Sequence, residues 1–335
     1  MLHNRRLYLG LAVSVLFLAL LLWQVDFQEL RTSLREVDPL WLLPAAPAYA
    51  LALWFRALRW RTILKPSMDI GTRDVFELMV IGLAANNILP VRAGELIRAG
   101  LLQQQHGGRW TIGFGTILVE RVLDGLVLAA ILAVTIALVG GTALLGLVAM
   151  LAGVAFVFAT LLLVALAVRP SVIVALARRL IGLLPARVRP LLEGWVVGFI
   201  EGMTTLRGGR AWFVVVFYTT ASWLAEAAVY WSVGVGFGLD VPVYIYPAAV
   251  AASNLALAAP STAAGVGPYE YFTREVIVAH GASTAAGTVY AIALHALIVM
   301  PLFVAGLVVL WRRGLGFRTL VDVPAPTTAP TAPPS

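Results

Sequence analysis

Six apolar runs of membrane-spanning length recur along the chain: Leu7 to Val25, Leu40 to about Ile63, Thr111 to Val139, Gly141 to Val168, Ala211 to Gly236 and Ser283 to Trp311. A bilayer core takes about 20 apolar residues per helix, so each run predicts a crossing. The first ends in Trp23-Gln24-Val25-Asp26 with no small-residue cleavage site, so it reads as a span and not as a cleaved leader. Two further hydrophobic regions are interrupted. Ala84 to Leu102 carries Asn86, Asn87, Pro90, Arg92, Gly94, Glu95 and Arg98. Ser253 to Glu275 carries Asn254, Pro260, Gly265, Gly267, Pro268 and Glu270.

Such stretches are too polar to face lipid, and proline breaks a helix through them. Irregular backbone at membrane depth needs a cover of protein or of a water-filled cavity. Both regions therefore predict re-entrant helical hairpins, at about residues 72–106 and 241–281. The expected class is an all-α polytopic membrane protein with about six spans and two re-entrant hairpins, over residues 1–322. Residues 323–335 are a Pro/Ala/Thr-rich tail of disordered composition.

Charge sets the expected orientation. His3, Arg5 and Arg6 precede the first span. The second ends in a basic group, Arg56, Arg59, Arg61 and Lys65. Residues 169–210 hold seven arginines, and Arg312, Arg313 and Arg318 follow the last span. The positive-inside rule places all of these in the cytoplasm, both termini included, in a cell (plasma or inner) membrane. Within residues 169–210, Leu176, Leu180, Leu183 and Leu184 recur at helical spacing opposite Arg178 and Arg179, as in an interfacial amphipathic helix. The first hairpin then opens from inside and the second from outside. Span, hairpin and span occur twice in opposite orientation, the arrangement of an inverted repeat. The order Asn-Pro-Gly-Glu is shared by the two hairpins, although its spacing is not.

Composition agrees: of 335 residues, 61% are hydrophobic and 12% charged, with a mean hydropathy of +0.91. A soluble domain is nearer a quarter charged. The net charge of +7 falls between apolar runs, so it argues for topology and not for nucleic acid. Cysteine is absent, which excludes disulfides and thiol chemistry. No Walker sequence, HExxH or histidine ligand spacing occurs, and no cofactor or metal is expected.

The candidate polar residues lie in the hairpins and the spans. Glu120, Arg121 and Asp124 fall within one span, with Glu120 roughly 14 Å from its start. Glu120 and Asp124 share a face, and Arg121 can pair with Asp124. A charge at mid-bilayer costs at least about 2.5 kcal/mol, so the cluster is a functional candidate, with a structural ion pair as the other reading. Glu226 is alone in its span, as a binding residue or as a protonated core glutamate. His295 reads as a hydrogen-bonded core residue or a proton carrier. Arg56 can snorkel to an interface. Arg92 and Arg98 can receive a phosphate, helped by helix N-termini after Pro90 and Pro268. Glu95 and Glu270 can pair with arginine or with a cationic headgroup. Asn87 and Asn254 can bind substrate or satisfy backbone groups freed at the helix breaks; Gly265 and Gly267 shape the second hairpin.

Three of these segments together, NNILPVRAGELIRAGLL, VERVLDG and APSTAAGVGPYEY, make residues 8 to 312 similar to a known family. The chain resembles the membrane, flippase-like region of lysylphosphatidylglycerol synthases, the multiple peptide resistance factor proteins, in a standalone form. The resemblance implies moving or handling a phospholipid or isoprenoid-linked lipid. It does not imply lysyl transfer, since the standalone form that the chain resembles lacks the aminoacyl-transferase domain. The function expected is a lipid flippase-like transporter and not an enzyme. The alternatives are an accessory protein for lipid glycosylation that binds a polyprenyl-phosphate carrier, or a membrane-embedded lipid transferase. The expected partners are membrane lipids with an anionic or polyprenyl-phosphate headgroup; a homo-oligomer and a lipid-modifying partner enzyme both stay open.

Overall fold

The computed structural model describes residues 37–88, 94–140, 142–168, 170–184, 209–257 and 263–315, with a few isolated positions besides. Its helices are α1 (Ala45–Leu64), α2 (Thr72–Ile88), α3 (Gly94–His106), α4 (Trp110–Val139), α5 (Ala143–Val168), α6 (Pro170–Gly182), α7 (Gly209–Gly236), α8 (Tyr246–Ala256), α9 (Pro268–Val278) and α10 (Thr284–Arg312). Among the described residues there is no strand. The protein is an all-α polytopic membrane protein. Among the described residues, four segments are long and apolar enough to cross: Pro39–Leu64, Trp110–Val139, Arg210–Gly236 and Thr284–Arg312. The apolar run 7–25 and the tail 323–335 lie outside the described residues, as does most of 185–208.

Local chemistry sets the helix ends. Asp38 accepts the Leu40 N–H at 3.0 Å and starts a 3-10 turn, Pro39–Leu42, ahead of α1. Ser283 caps α10 by accepting the Ala286 N–H at 3.2 Å. In α6, Leu180 is exposed while Ile181 is buried, and Leu183, just past its end, is exposed.

α2 and α3 form an antiparallel pair. Gly82 lies opposite Gly94 and Arg98, and Asn86 accepts the Gly94 N–H at 2.9 Å. At the other end, Asp74, Glu77 and Gln105 all meet Arg313. At 17 residues, α2 is about 25 Å long, short of a bilayer core. A Cβ on Gly94 would sit 1.9 Å from the Gly82 carbonyl oxygen, so the two backbones touch. α8 and α9, of 11 residues each, are shorter still. Asp240 and Gly281, which flank this pair, come together at its base. Its tip is closed by left-handed backbone at Ala264 (φ 60°), Gly265 (78°) and Gly267 (99°).

The two hairpins enter from opposite rims of the bundle. The first opens beside Arg313, at the C-terminal end of α10. The second opens beside the N-terminal end of α10, where Gly287 faces Val278. α1 and α7 run antiparallel between them: the Asp38 N–H donates to the Gly236 carbonyl at 2.8 Å, and Ser232 donates to the Trp41 carbonyl.

Packing repeats the same symmetry. α2 packs on α3 as α8 does on α9, and α3 on α4 as α9 on α10. Crosswise, α2 packs on α10 and α8 on α4. Exchanging α1–α4 with α7–α10 therefore maps these contacts onto one another. One apolar core gathers around Trp60, Met79, Ile81 and Leu302, and a second around Tyr230, Tyr246, Ala249 and Tyr290.

Candidate functional site

Charged side chains meet among α1, α3, α4 and α7, joined by Asn254 of α8. Glu120 and Asp124 stand one turn apart on α4. Arg59 of α1 reaches both: Nε donates to Glu120 at 3.2 Å, and Nη1 and Nη2 donate to the two Asp124 oxygens at 2.5 and 3.3 Å. Nη1 also reaches the Thr219 hydroxyl of α7 at 3.3 Å. Arg98 of α3 donates to the other Glu120 oxygen and lies 3.5 Å from the centre of the Trp60 ring. Trp60 donates to Thr116 at 3.0 Å, and Trp223 of α7 donates to Asp124 at 3.0 Å. Arg59, Arg98, Glu120 and Asp124 are all buried. Charges this deep persist only when paired and hydrogen-bonded, and here each carboxylate has donors on two or more helices.

A second ion pair adjoins this cluster. Arg56 of α1 donates to Glu226 of α7 at 2.5 Å, and Asn254 of α8 reaches the other Glu226 oxygen at 3.4 Å. Trp223 joins the two groups. Its ring N–H faces Asp124, and Arg56 stands over its face, 4.5 Å from the ring centre. Four arginines (56, 59, 98 and 121) thus balance four carboxylates (Glu95, Glu120, Asp124 and Glu226). At the open edge Arg121, with a side chain 35% exposed, lies 3.1 Å from Asp124 and 3.7 Å from Glu95. Among the described residues, Arg98 Nε, Arg121 Nε and Asn87 Nδ2 are buried donors here without a hydrogen-bond partner.

The second hairpin has its own polar pair. His295 Nδ1 is 2.6 Å from Glu270 Oε1, and Glu270 Oε2 accepts the Gly267 N–H at 2.7 Å. Tyr269 stacks on His295, with ring centres 4.2 Å apart. Its hydroxyl bonds that of Tyr230, which bonds Ser253 at 2.9 Å. The tip turn Ala263–Gly265 packs on α2, so the hairpins touch.

Glu95, Arg98, Glu120, Arg121, Asp124, Glu226 and Asn254 thus come together through direct contacts. Glu270, Gly265 and Gly267 sit apart from that cluster, around the second hairpin's tip. Pro90 and Arg92 lie outside the described residues. Four expectations change. Glu226, alone in its own span, pairs with Arg56 of α1 instead of standing as a neutral core glutamate, which also removes the reading of Arg56 as a snorkelling residue. Glu270 pairs with His295 and not with arginine. The N-terminus of α9, a candidate phosphate cradle, is taken up by the Glu270 carboxylate. Arg59, read as part of a rim charge group, lies at the centre of the cluster. One signal for Arg56 and Arg59 was available: they are three residues apart and so share a helix face. Arg61, by contrast, stays near the end of α1 and donates to the Ile70 carbonyl at 2.9 Å.

Comparison with known proteins gives a family match. The model of the lysylphosphatidylglycerol synthase TM region matches residues 7–306. A protein of Haloferax volcanii named glycosyltransferase AglD is 27% identical over 294 residues, covering 78% of this chain and 47% of its own length. A UPF0104 membrane protein of Methanothermobacter thermautotrophicus is 30% identical over 117 residues, 34% of this chain and 35% of that protein. Another, from Pyrococcus horikoshii, is 26% identical over 121 residues, 35% of this chain and 36% of that one. The chain matches about half or less of the length of these relatives. No solved structure matches it.

Proposed function

The chain belongs to the lysylphosphatidylglycerol synthase TM region family, and on that premise we propose that it is a lipid transporter of the cell membrane. Its substrate is a phospholipid or isoprenoid-linked lipid whose headgroup enters the charged cluster while the hydrocarbon stays in the bilayer. The observation that carries this reading is the cluster's position: buried ion pairs at the meeting of two hairpins that enter from opposite rims. Charge at that depth is costly and marks a substrate path more often than a scaffold. The paired hairpins match the inverted-repeat plan of alternating-access carriers. Arg98 Nε, Arg121 Nε and Asn87 Nδ2 offer N–H groups to phosphate oxygens. The arginine-rich ends support a cytoplasmic position for both termini. No catalytic step is assigned to the chain.

The test is transbilayer movement of a fluorescent phospholipid and of a polyprenyl phosphate in liposomes holding the purified chain. The expected result is accelerated movement of at least one lipid, lost in Glu120→Gln. Movement no faster than in empty liposomes for both lipids overturns the reading. The Haloferax relative's name favours a second reading, in which the chain presents a polyprenyl-phosphate carrier to a glycosylating partner. That reading predicts tight binding of the polyprenyl phosphate with no transbilayer movement.

A further inference from the structure

The two halves differ at one matched place. In the first, α3 is tied to α4 by Arg98 and Glu120; in the second, α9 is tied to α10 by Glu270 and His295. Glu120 and His295 each sit about three turns into their helices. The hairpin supplies the cation in one half and the anion in the other. Arginine keeps its charge at any physiological pH, whereas histidine is the side chain that changes charge there.

We propose that the Glu270–His295 pair binds the proton that couples lipid movement to a transmembrane proton gradient; this rests on the transporter reading above. The loaded pair, imidazolium against carboxylate, is net neutral and ties α9 to α10. The unloaded pair, neutral imidazole beside carboxylate, carries one net negative charge and loses the attraction. Each cycle takes one proton from water on one side and returns it to water on the other. Only an N–H bond forms and breaks.

The surroundings suit this role. His295 and Glu270 keep 8% and 7% side-chain exposure, against 1% for Glu120. Tyr269 connects the pair to Tyr230 and Ser253, and the next residue on α8, Asn254, holds Glu226. A shift of α9 is therefore transmitted to the Arg56–Glu226 pair beside the cluster. The other titratable or charged groups on the helices packed around the pair are Arg210, Tyr218, Glu226 and Tyr230 on α7, Tyr246 on α8, Tyr290 and Arg312 on α10, and Arg73, Asp74 and Glu77 on α2, which packs on α10. On α9 itself they are Tyr269, Tyr271, Arg274 and Glu275. Phenols stay neutral below about pH 9. Glu226 is matched by Arg56, and Arg274 by Glu275 at 2.6 Å. His295 is the one imidazole among them.

The test uses the full chain in liposomes with a fluorescent phospholipid and an imposed pH difference. While the pair is mostly unloaded, the transport rate should change about tenfold per pH unit on the loading side. Glu270→Gln and His295→Gln should still transport but ignore the gradient; Gln at 270 can keep its backbone cap. Gradient-independent transport by the wild type overturns the proposal and leaves the transporter reading standing, as does a wild-type response in both variants. Absence of movement under every gradient defeats the transporter reading itself, and a second measurement then decides the site. Nitroxides on Leu51→Cys and Leu257→Cys should report a distance that changes between about pH 5 and 8. Loss of that change in Glu270→Gln supports proton binding, and a pH-independent wild-type distance sinks it.

Discussion

The first hairpin and the second occupy equivalent places in the packing yet hold together by different chemistry. Around α2 and α3 the charges are permanent: Arg59 and Arg98 share Glu120, and Arg59 also grips Asp124. Around α8 and α9 the links are phenol and hydroxyl groups, the Asn254 amide on Glu226 and one imidazole–carboxylate pair. Their backbones differ too. The first pair brings two glycine-bearing helices into contact, while the second relies on a tip in left-handed conformation. One architecture therefore serves two tasks: a fixed electrostatic half and a half whose charge can be altered.

Replacing the central arginine should break this contrast most severely. Arg59→Leu strands Glu120 and Asp124 without a shared cation and should cost about 3–5 kcal/mol, read as a lowered thermal midpoint in detergent. His295→Leu should cost less, because Glu270 can take up a proton. Equal losses in the two would erase the distinction between the halves. Next comes Gly94→Ala, whose methyl meets the Gly82 carbonyl 1.9 Å away and should cost about 1–3 kcal/mol by overpacking. A Gly94→Ala protein as stable as wild type would mean that the first hairpin can open at little cost. Tyr230→Phe removes the hydroxyl between Ser253 and Tyr269 and should cost about 1 kcal/mol. A thermal scan beside Tyr269→Phe, with non-additive losses, would identify the hydroxyls as one chain.

The smallest effect belongs to the rim. Burial works against a charged Glu77, but hydrogen bonds from Arg313 and Arg73 outweigh it and hold the carboxyl below its ordinary value of 4.5. A depressed value contributes stability that is fully present above pH 4.5 and is lost as pH falls through the lower, folded value. Wild type should therefore lose its advantage over Glu77→Gln only in that acidic window. An advantage lost instead between about pH 5 and 8 would move the titrating group of the first half into the range proposed for the second.

Run length and composition were enough to read the helical class, because spanning a bilayer constrains every residue of a segment. Glu120, Arg121 and Asp124 were recognisable as a unit because they are neighbours on one face. Their partners were hidden. Arg56 and Arg59 look like rim charges when only the order of residues is known, and Glu226 looks solitary because Arg56 lies 170 positions away. Periodicity tells which side of a helix is polar and is silent on which helix stands opposite. The same holds for Glu270 and His295, which lie on successive helices.

The mutual holding of these charges also bears on how such a chain can change over generations. A single replacement within the cluster strands a partner on another helix, so most one-step substitutions there pass through a poorly folded intermediate. Descendants should exchange these residues two at a time, as compensated pairs drawn from different helices. Linked variation between positions 59 and 124, or 56 and 226, would be its trace among related chains.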